Sequence, residues 1–192
     1  MIRRSTWVLV LVFAALVLLA WYLQQNRQQD QEAAAPAAEL GNLLQVDAGE
    51  IQAVELRSAA GERVVLERSG EEWALVEPQA GPADPDRMTF ALGRISALRL
   101  LAALENPPPP GDIGLEPAAY TLTVTLTGGT RHSARIGEVT PIQNGYYAAG
   151  QDGRVYVVSS PGVEEVLDLL RDPPYQPDPA AEAPETASTP EP

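Results

Sequence analysis

Seventeen consecutive uncharged, almost wholly apolar residues, Trp7 to Leu23, stand just behind Met1-Ile2-Arg3-Arg4, and no later stretch of the chain resembles them. At about 1.5 Å of rise per residue, a helix from Ser5 to Leu23 reaches roughly 28 Å, close to the hydrocarbon thickness of a bilayer. The stretch is therefore predicted to cross a membrane once, which assigns residues 1–23 to an anchor and removes them from the globular fold. Trp7 at one end and Trp21-Tyr22 at the other fall where amphipathic rings favour the headgroup level. Together with Arg3 and Arg4 they are the candidate membrane-interface residues.

Arg3, Arg4 and the terminal amine precede the span, whereas Gln24 to Asp30 after it hold a single arginine, Arg27. The positive-inside bias then keeps the N-terminus in the cytoplasm and sends everything after Leu23 outside it, giving a single-pass protein of the cell membrane. A cleaved signal peptide is the rival reading, with Ala33-Ala34-Ala35 as the small-residue site. The apolar run is longer than a usual signal core, and those alanines lie too far beyond it.

Residues 24–44 read as a stalk, rich in Gln and Ala and without apolar periodicity. Residues 173–192 are rich in Pro, Ala, Glu and Thr and contain no basic residue, so they are expected to stay disordered for want of apolar surface to bury. About 130 residues remain, the size of one ordinary domain. The formal net charge of the whole chain is −13, and the anchor carries two arginines and no acid, so the outward part is more negative still. Lysine is absent and the arginines are scattered singly, which argues against a nucleic-acid partner. With no cysteine, disulfides, thiolate metal sites and cysteine nucleophiles are excluded.

The body is predicted to be α+β, an outward domain of antiparallel hairpins with two packing helices and an internal duplication. In its first half, residues 45–106, Val54 and Leu56 alternate with Glu55 and Arg57, and Val64-Val65-Leu66 returns as a hairpin partner. Trp73 to Val76 makes a third strand, stopped by Pro78. Asp84-Pro85 starts a helix whose apolar stripe is Met88, Ala91, Leu92, Ile95 and Leu98. After the helix end, the run up to Leu104 is expected to be extended. Pro107 to Pro110 then forms a stiff connector.

The second half, residues 107–172, opens with Tyr120, Leu122, Val124 and Leu126 on one face and Thr121, Thr123, Thr125 and Thr127 on the other. Gly128-Gly129 supplies a positive-φ turn, and the return strand points His132, Ala134 and Ile136 inward. Tyr146 to Ala149 and Val155 to Val158 form another hairpin around Asp152-Gly153. Ser160-Pro161 is expected to cap a last helix with Glu164 and Glu165 in its first turn and Arg171 near its end.

Several short motifs follow one another in a set order: Trp73-x-Leu75-x-x-Pro78, Ala83-Asp84 opening a helix, Gly114-Leu115-Glu116-Pro117 before a strand, and Ile136-Gly137 closing the next. Tyr146-Tyr147-Ala148, Val155-Tyr156-Val157-Val158 and Leu170-Arg171-Asp172 complete the series. In this order, over about Leu43 to Asp172, the chain resembles the bacterial family catalogued as domain of unknown function 4340. The resemblance implies a membrane-anchored, extracytoplasmic α+β module serving as an accessory subunit of a membrane system, and it implies no activity.

No catalytic, cofactor or metal site is expected from the residues. His132 is the only imidazole and reads as a packed or edge histidine rather than a general base. Asp84-Pro85-Asp86 lacks the rest of a calcium loop, Gly128-Gly129 lacks phosphate-cradle spacing, and Glu164-Glu165 fits helix electrostatics better than a paired-carboxylate site. Tyr146, Tyr147 and Tyr156 are the candidate partner or ligand surface. The expected function is that of a non-enzymatic accessory or structural subunit that docks onto another membrane or envelope protein. The alternatives are a small-molecule or glycan binding module on the tyrosine-bearing hairpins, and an enzyme such as a hydrolase built around His132.

Overall fold

A computed structural model of the protein describes residues 40–177. The apolar run, its flanking Arg3, Arg4, Trp7, Trp21 and Tyr22, most of the expected stalk and the tail from residue 178 lie outside the described residues. Among the described residues, no helix is long and apolar enough to cross a membrane.

In chain order the elements are β1 (Ile51–Ser58), β2 (Arg63–Ser69), β3 (Glu72–Glu77), the two-residue β4 (Gly81–Pro82), helix α1 (Pro85–Ser96) and β5 (Leu100–Leu104). There follow β6 (Tyr120–Leu126), β7 (Arg131–Val139), β8 (Gly145–Ala149), β9 (Val155–Ser159) and helix α2 (Ser160–Arg171). The nine strands form one antiparallel sheet in the order β4-β3-β2-β1-β6-β7-β8-β9-β5. With its two helices the body is α+β.

The centre of the sheet is the pairing of β1 with β6, where Leu56 stands opposite Leu122 and Val54 opposite Val124. From there β2, β3 and β4 extend one way and β7, β8 and β9 the other. The two central hairpins share a register: their innermost pairs, Arg57 with Arg63 and Thr125 with Arg131, enclose turns of equal length. Each helix then sends its following segment to the opposite half. After α1, strand β5 pairs with β9, and after α2, Tyr175 forms an antiparallel bridge with Ala83 beside β4. The proline run therefore does not separate two independent units, because one sheet carries strands of both halves through its far edge.

Period-two alternation places one side of every central strand in the core. Val54, Leu56, Val64, Leu66, Leu75, Leu122, Val124, Ala134 and Ile136 are buried together with Met88, Ala91, Leu92 and Ile95 of α1 and Val163, Val166, Leu167 and Leu169 of α2. Both helices thus cover the same face. Asp84 caps α1, its Oδ1 accepting from the amides of Asp86 and Arg87 at 2.9 Å each.

At α2 the expected start is corrected. Ser159 holds the cap position without a side-chain hydrogen bond and Ser160 lies inside the helix, so Glu164 and Glu165 fall one position further along and outside the first turn. Glu165 instead accepts an ion pair from Arg94 of α1 at 2.7 Å, tying the helices together. The ordered body also extends beyond both expected limits. Leu44, assigned to the stalk, is 5 % exposed within the main core, and Tyr175, assigned to the tail, packs against it. The amide of Leu43 donates to the carbonyl of Leu98, and that of Leu100 to Gly41.

A second, smaller cluster lies on the other face of the sheet. Ile113 and Leu115, from the segment after the proline run, cover Ala149 and Val155, with Tyr147 and Leu104 at the margin. Gly114 takes a left-handed φ of 66° there, and Gly137 lets the segment cross β7 closely: a Cβ on Gly137 would lie 2.1 Å from the carbonyl oxygen of Ile113. This patch covers β8, β9, β5 and the Gly137 end of β7, and among the described residues no element overlies the outer side of β2, β1, β6 and the first part of β7.

Candidate interaction surfaces

The uncovered outer face follows directly from the alternation. Residues that β1, β6 and β7 turn away from the core are Glu55 and Arg57, then Thr121, Thr123 and Thr125, then Arg131, Ser133 and Arg135. Strand register lines them up in rows. Arg63, Arg57, Thr121 and Arg135 are successive partners across four strands, and Glu55, Thr123 and Ser133 form the row beside them. Thr123 and Ser133 hydroxyls lie 3.5 Å apart.

Charge on this face is unevenly matched. The Arg63 guanidinium bonds Glu55 at 2.9 Å and Glu77 at 2.7 Å, and the hydrogen bond to Glu55 is the leading cause that holds its pKa above the ordinary arginine value. Both carboxylates flank Val65 in register, and Val65 is only 9 % exposed on this otherwise polar surface. By contrast Arg57 and Arg135 are exposed and have no ion-pair partner among the described residues. A groove of about 430 Å³ runs beside Arg57, bounded by Arg63, Glu77, Ala118 and Thr121.

A second concavity, of about 460 Å³, lies at the end of the sheet where residues 40–45 pass the β8–β9 turn. His132, Asp152, Arg154, Tyr156, Asn42 and Gln45 line it. Asp152 accepts from the Tyr156 hydroxyl through Oδ2 and from the Arg154 amide through Oδ1. That carboxylate bond, followed by burial, raises the Tyr156 pKa above the usual tyrosine value. Gln45 adopts a left-handed φ of 49°, unusual for a residue with a side chain.

The three candidate tyrosines do not share one surface. Tyr146 and Tyr156 lie on the helix side, packed against the main core, whereas Tyr147 turns to the other face and joins the smaller cluster. Tyr156 lines the second concavity. For Tyr146, burial is the first cause of a raised pKa and the nearby Glu164 charge the second. His132 is half-buried, as its inward parity predicts at a strand end, and makes no side-chain hydrogen bond among the described residues. Ser133, though next in sequence, points to the opposite face towards Thr123, so the pair does not form a nucleophile and base.

Among the described residues, no group of three or more His, Cys, Asp or Glu side chains is arranged to hold a metal ion. The unpaired arginines of the open face were missed from the sequence. Their signal was present in the outward positions Arg57, Arg131 and Arg135, but the row that joins Arg57 to Arg135 becomes visible only once β1 is known to pair with β6. No family model, no curated protein and no solved structure matches the chain.

Proposed function

We propose that this protein is a single-pass, membrane-anchored accessory or structural subunit whose extracytoplasmic body docks onto another membrane or envelope protein. One observation carries the docking reading: a nine-stranded sheet has both helices on one face, and among the described residues no element overlies β2, β1, β6 and the first part of β7 on the other. A sheet face of threonine hydroxyls and unpaired guanidinium groups offers directional hydrogen bonds in rows across several strands, which suits a protein surface better than a small molecule. The apolar run Trp7–Leu23, behind Arg3 and Arg4, supports the anchor and its orientation.

The order of motifs by which the chain resembles the domain of unknown function 4340 family agrees with the same reading. The equal hairpin registers and the reciprocal exchange of the segments after each helix support an internally duplicated body, with β1 and β6 as equivalent strands. The test has two arms. A compartment-sensitive reporter fused to the carboxyl end should signal from outside the cytoplasm, and a cytosolic signal overturns the topology. Gentle detergent extraction from native membranes should bring down a stoichiometric companion, lost in Arg57→Glu/Arg135→Glu; its absence from the unaltered protein overturns the docking role.

A glycan or small-molecule module is the second reading, favoured by the groove in which His132, Asp152, Arg154 and two free amide side chains surround Tyr156. Planar polar groups beside an aromatic ring suit a neutral saccharide. Saturable shifts of the Tyr156 ring resonances on adding chitotriose are the expected result, and unchanged resonances count against it.

A further inference from the structure

Corresponding backbone bonds recur in the two halves of the body. The Asp84 amide donates to the carbonyl of Pro174 at 2.9 Å and the Ser159 amide to that of Arg99 at 3.1 Å, and the bridge from Ala83 to Tyr175 matches the pairing of Val158 with Leu100. Asp84 and Ser159, the caps of α1 and α2, are therefore equivalent places, but they are covered differently. In the second half five residues, Thr140 to Asn144, join β7 to β8, and the Asn144 carbonyl accepts from the Ser160 amide at the start of α2. In the first half Gly70 and Glu71 alone join β2 to β3, and Pro85, at the place of Ser160, has no amide hydrogen to offer a covering loop. The corner of α1 is left as a groove of about 490 Å³.

Trp73 lines this groove with the buried side chains of Ala83 and Leu92, and the exposed Glu71 and Glu72 stand at its rim. Arg68 lines it too, but its guanidinium is turned onto backbone, Nε donating to the Gly70 carbonyl at 3.1 Å and Nη1 to that of Gly49 at 3.3 Å. Glu71 and Glu72 make no ion pair among the described residues, so both carboxylates are available to a cation from outside. An indole beside two carboxylates attracts a guanidinium through the negative face of the ring as well as through the acids, and the apolar floor suits the stem that carries it. The volume exceeds that of one side chain and matches a ligand several groups long. Thr89 and Gln176, also at the wall, bring polar side chains within reach of a bound backbone.

We propose that this groove receives a short basic segment of a partner polypeptide, with an arginine laid along Trp73 and its guanidinium held by Glu71 and Glu72. The groove lies against α1, on the helix side of the sheet and away from the open face. The contact is thus additional to the docking described above and stands or falls without it.

Trp73 is its own reporter. In the full chain, held in nanodiscs of zwitterionic lipid, Trp7→Phe/Trp21→Phe leaves it as the only tryptophan. Acetyl-Leu-Arg-Leu-amide should shift its fluorescence saturably below about 10 mM, and the same peptide with neutral citrulline in place of arginine should bind roughly tenfold more weakly. Glu71→Gln/Glu72→Gln, at exposed positions, should weaken the arginine peptide by roughly the same factor. Thr89→Lys sets a cation into the groove from an exposed helix position and should block the peptide, which keeps the test decisive if the first variant disturbs the β2–β3 turn. Equal binding of the two peptides overturns the proposal, as does saturation that survives both sets of substitutions, or no saturable response at all. A response to spermidine with none to the arginine peptide also overturns it, because the occupant is then a free cation. Arg57 and Arg135 are untouched throughout, so recovery of a companion through the open face is read separately.

Discussion

At the residue scale, the pair of Asp152 and Tyr156 makes the sharpest prediction. The carboxylate holds the phenolic proton, so the folded state keeps Tyr156 protonated to higher pH than the unfolded chain does. The stability this bond contributes is fully present below the ordinary tyrosine value of about 10 and is lost as pH rises through the raised folded value. Asp152→Asn should therefore lower the Tyr156 ionisation, read from ultraviolet difference titration against a Tyr156→Phe reference. Tyr146 should not follow, because burial is the first cause of its shift. An unchanged Tyr156 titration in Asp152→Asn would show that the hydrogen bond does not hold the proton.

At the element scale, Gly137 decides how the outer cluster closes. Adding a methyl group there would press on the Ile113 carbonyl, which is backbone and cannot swing aside, so the segment from Pro110 to Gly114 must lift. Gly137→Ala is expected to destabilise the body by about 1–3 kcal/mol, as overpacking does, with Ile113 and Leu115 losing protection from hydrogen exchange first. A denaturation midpoint equal to that of the unaltered protein would contradict the close crossing. The hairpins themselves were legible, since alternation such as Tyr120 to Leu126 and the positive-φ turn at Gly128-Gly129 are local properties of the sequence. Strand β4 was not, because two residues ending in proline carry no periodicity. Nor was the burial of Leu44, although Leu43-Leu44-x-Val46 shows enough apolar character to have moved the boundary of the body earlier. Gly137 inside a strand was a usable sign of close backbone approach, and it went unread because its partner lies over twenty residues upstream.

At the scale of the whole molecule, the exchange of β5 and the Tyr175 segment between halves binds the sheet into one cooperative unit. What sequence periodicity cannot reveal is that β5, from the first half, pairs with β9, since this pairing is set by the path of the chain around α1. Fragments 40–106 and 107–177 should each lack dispersed amide resonances alone and regain them on mixing. Either fragment folding by itself would argue against obligatory exchange. The same routing bears on mechanics. A pull applied through residues before Leu40 is delivered first to the amides of Leu43 and Leu100, whose bonds fasten the leading segment to the start of β5. Bonds that open one after another yield at lower tension than bonds loaded together, so the body should peel from its β5 margin while the β1–β6 centre stays shut.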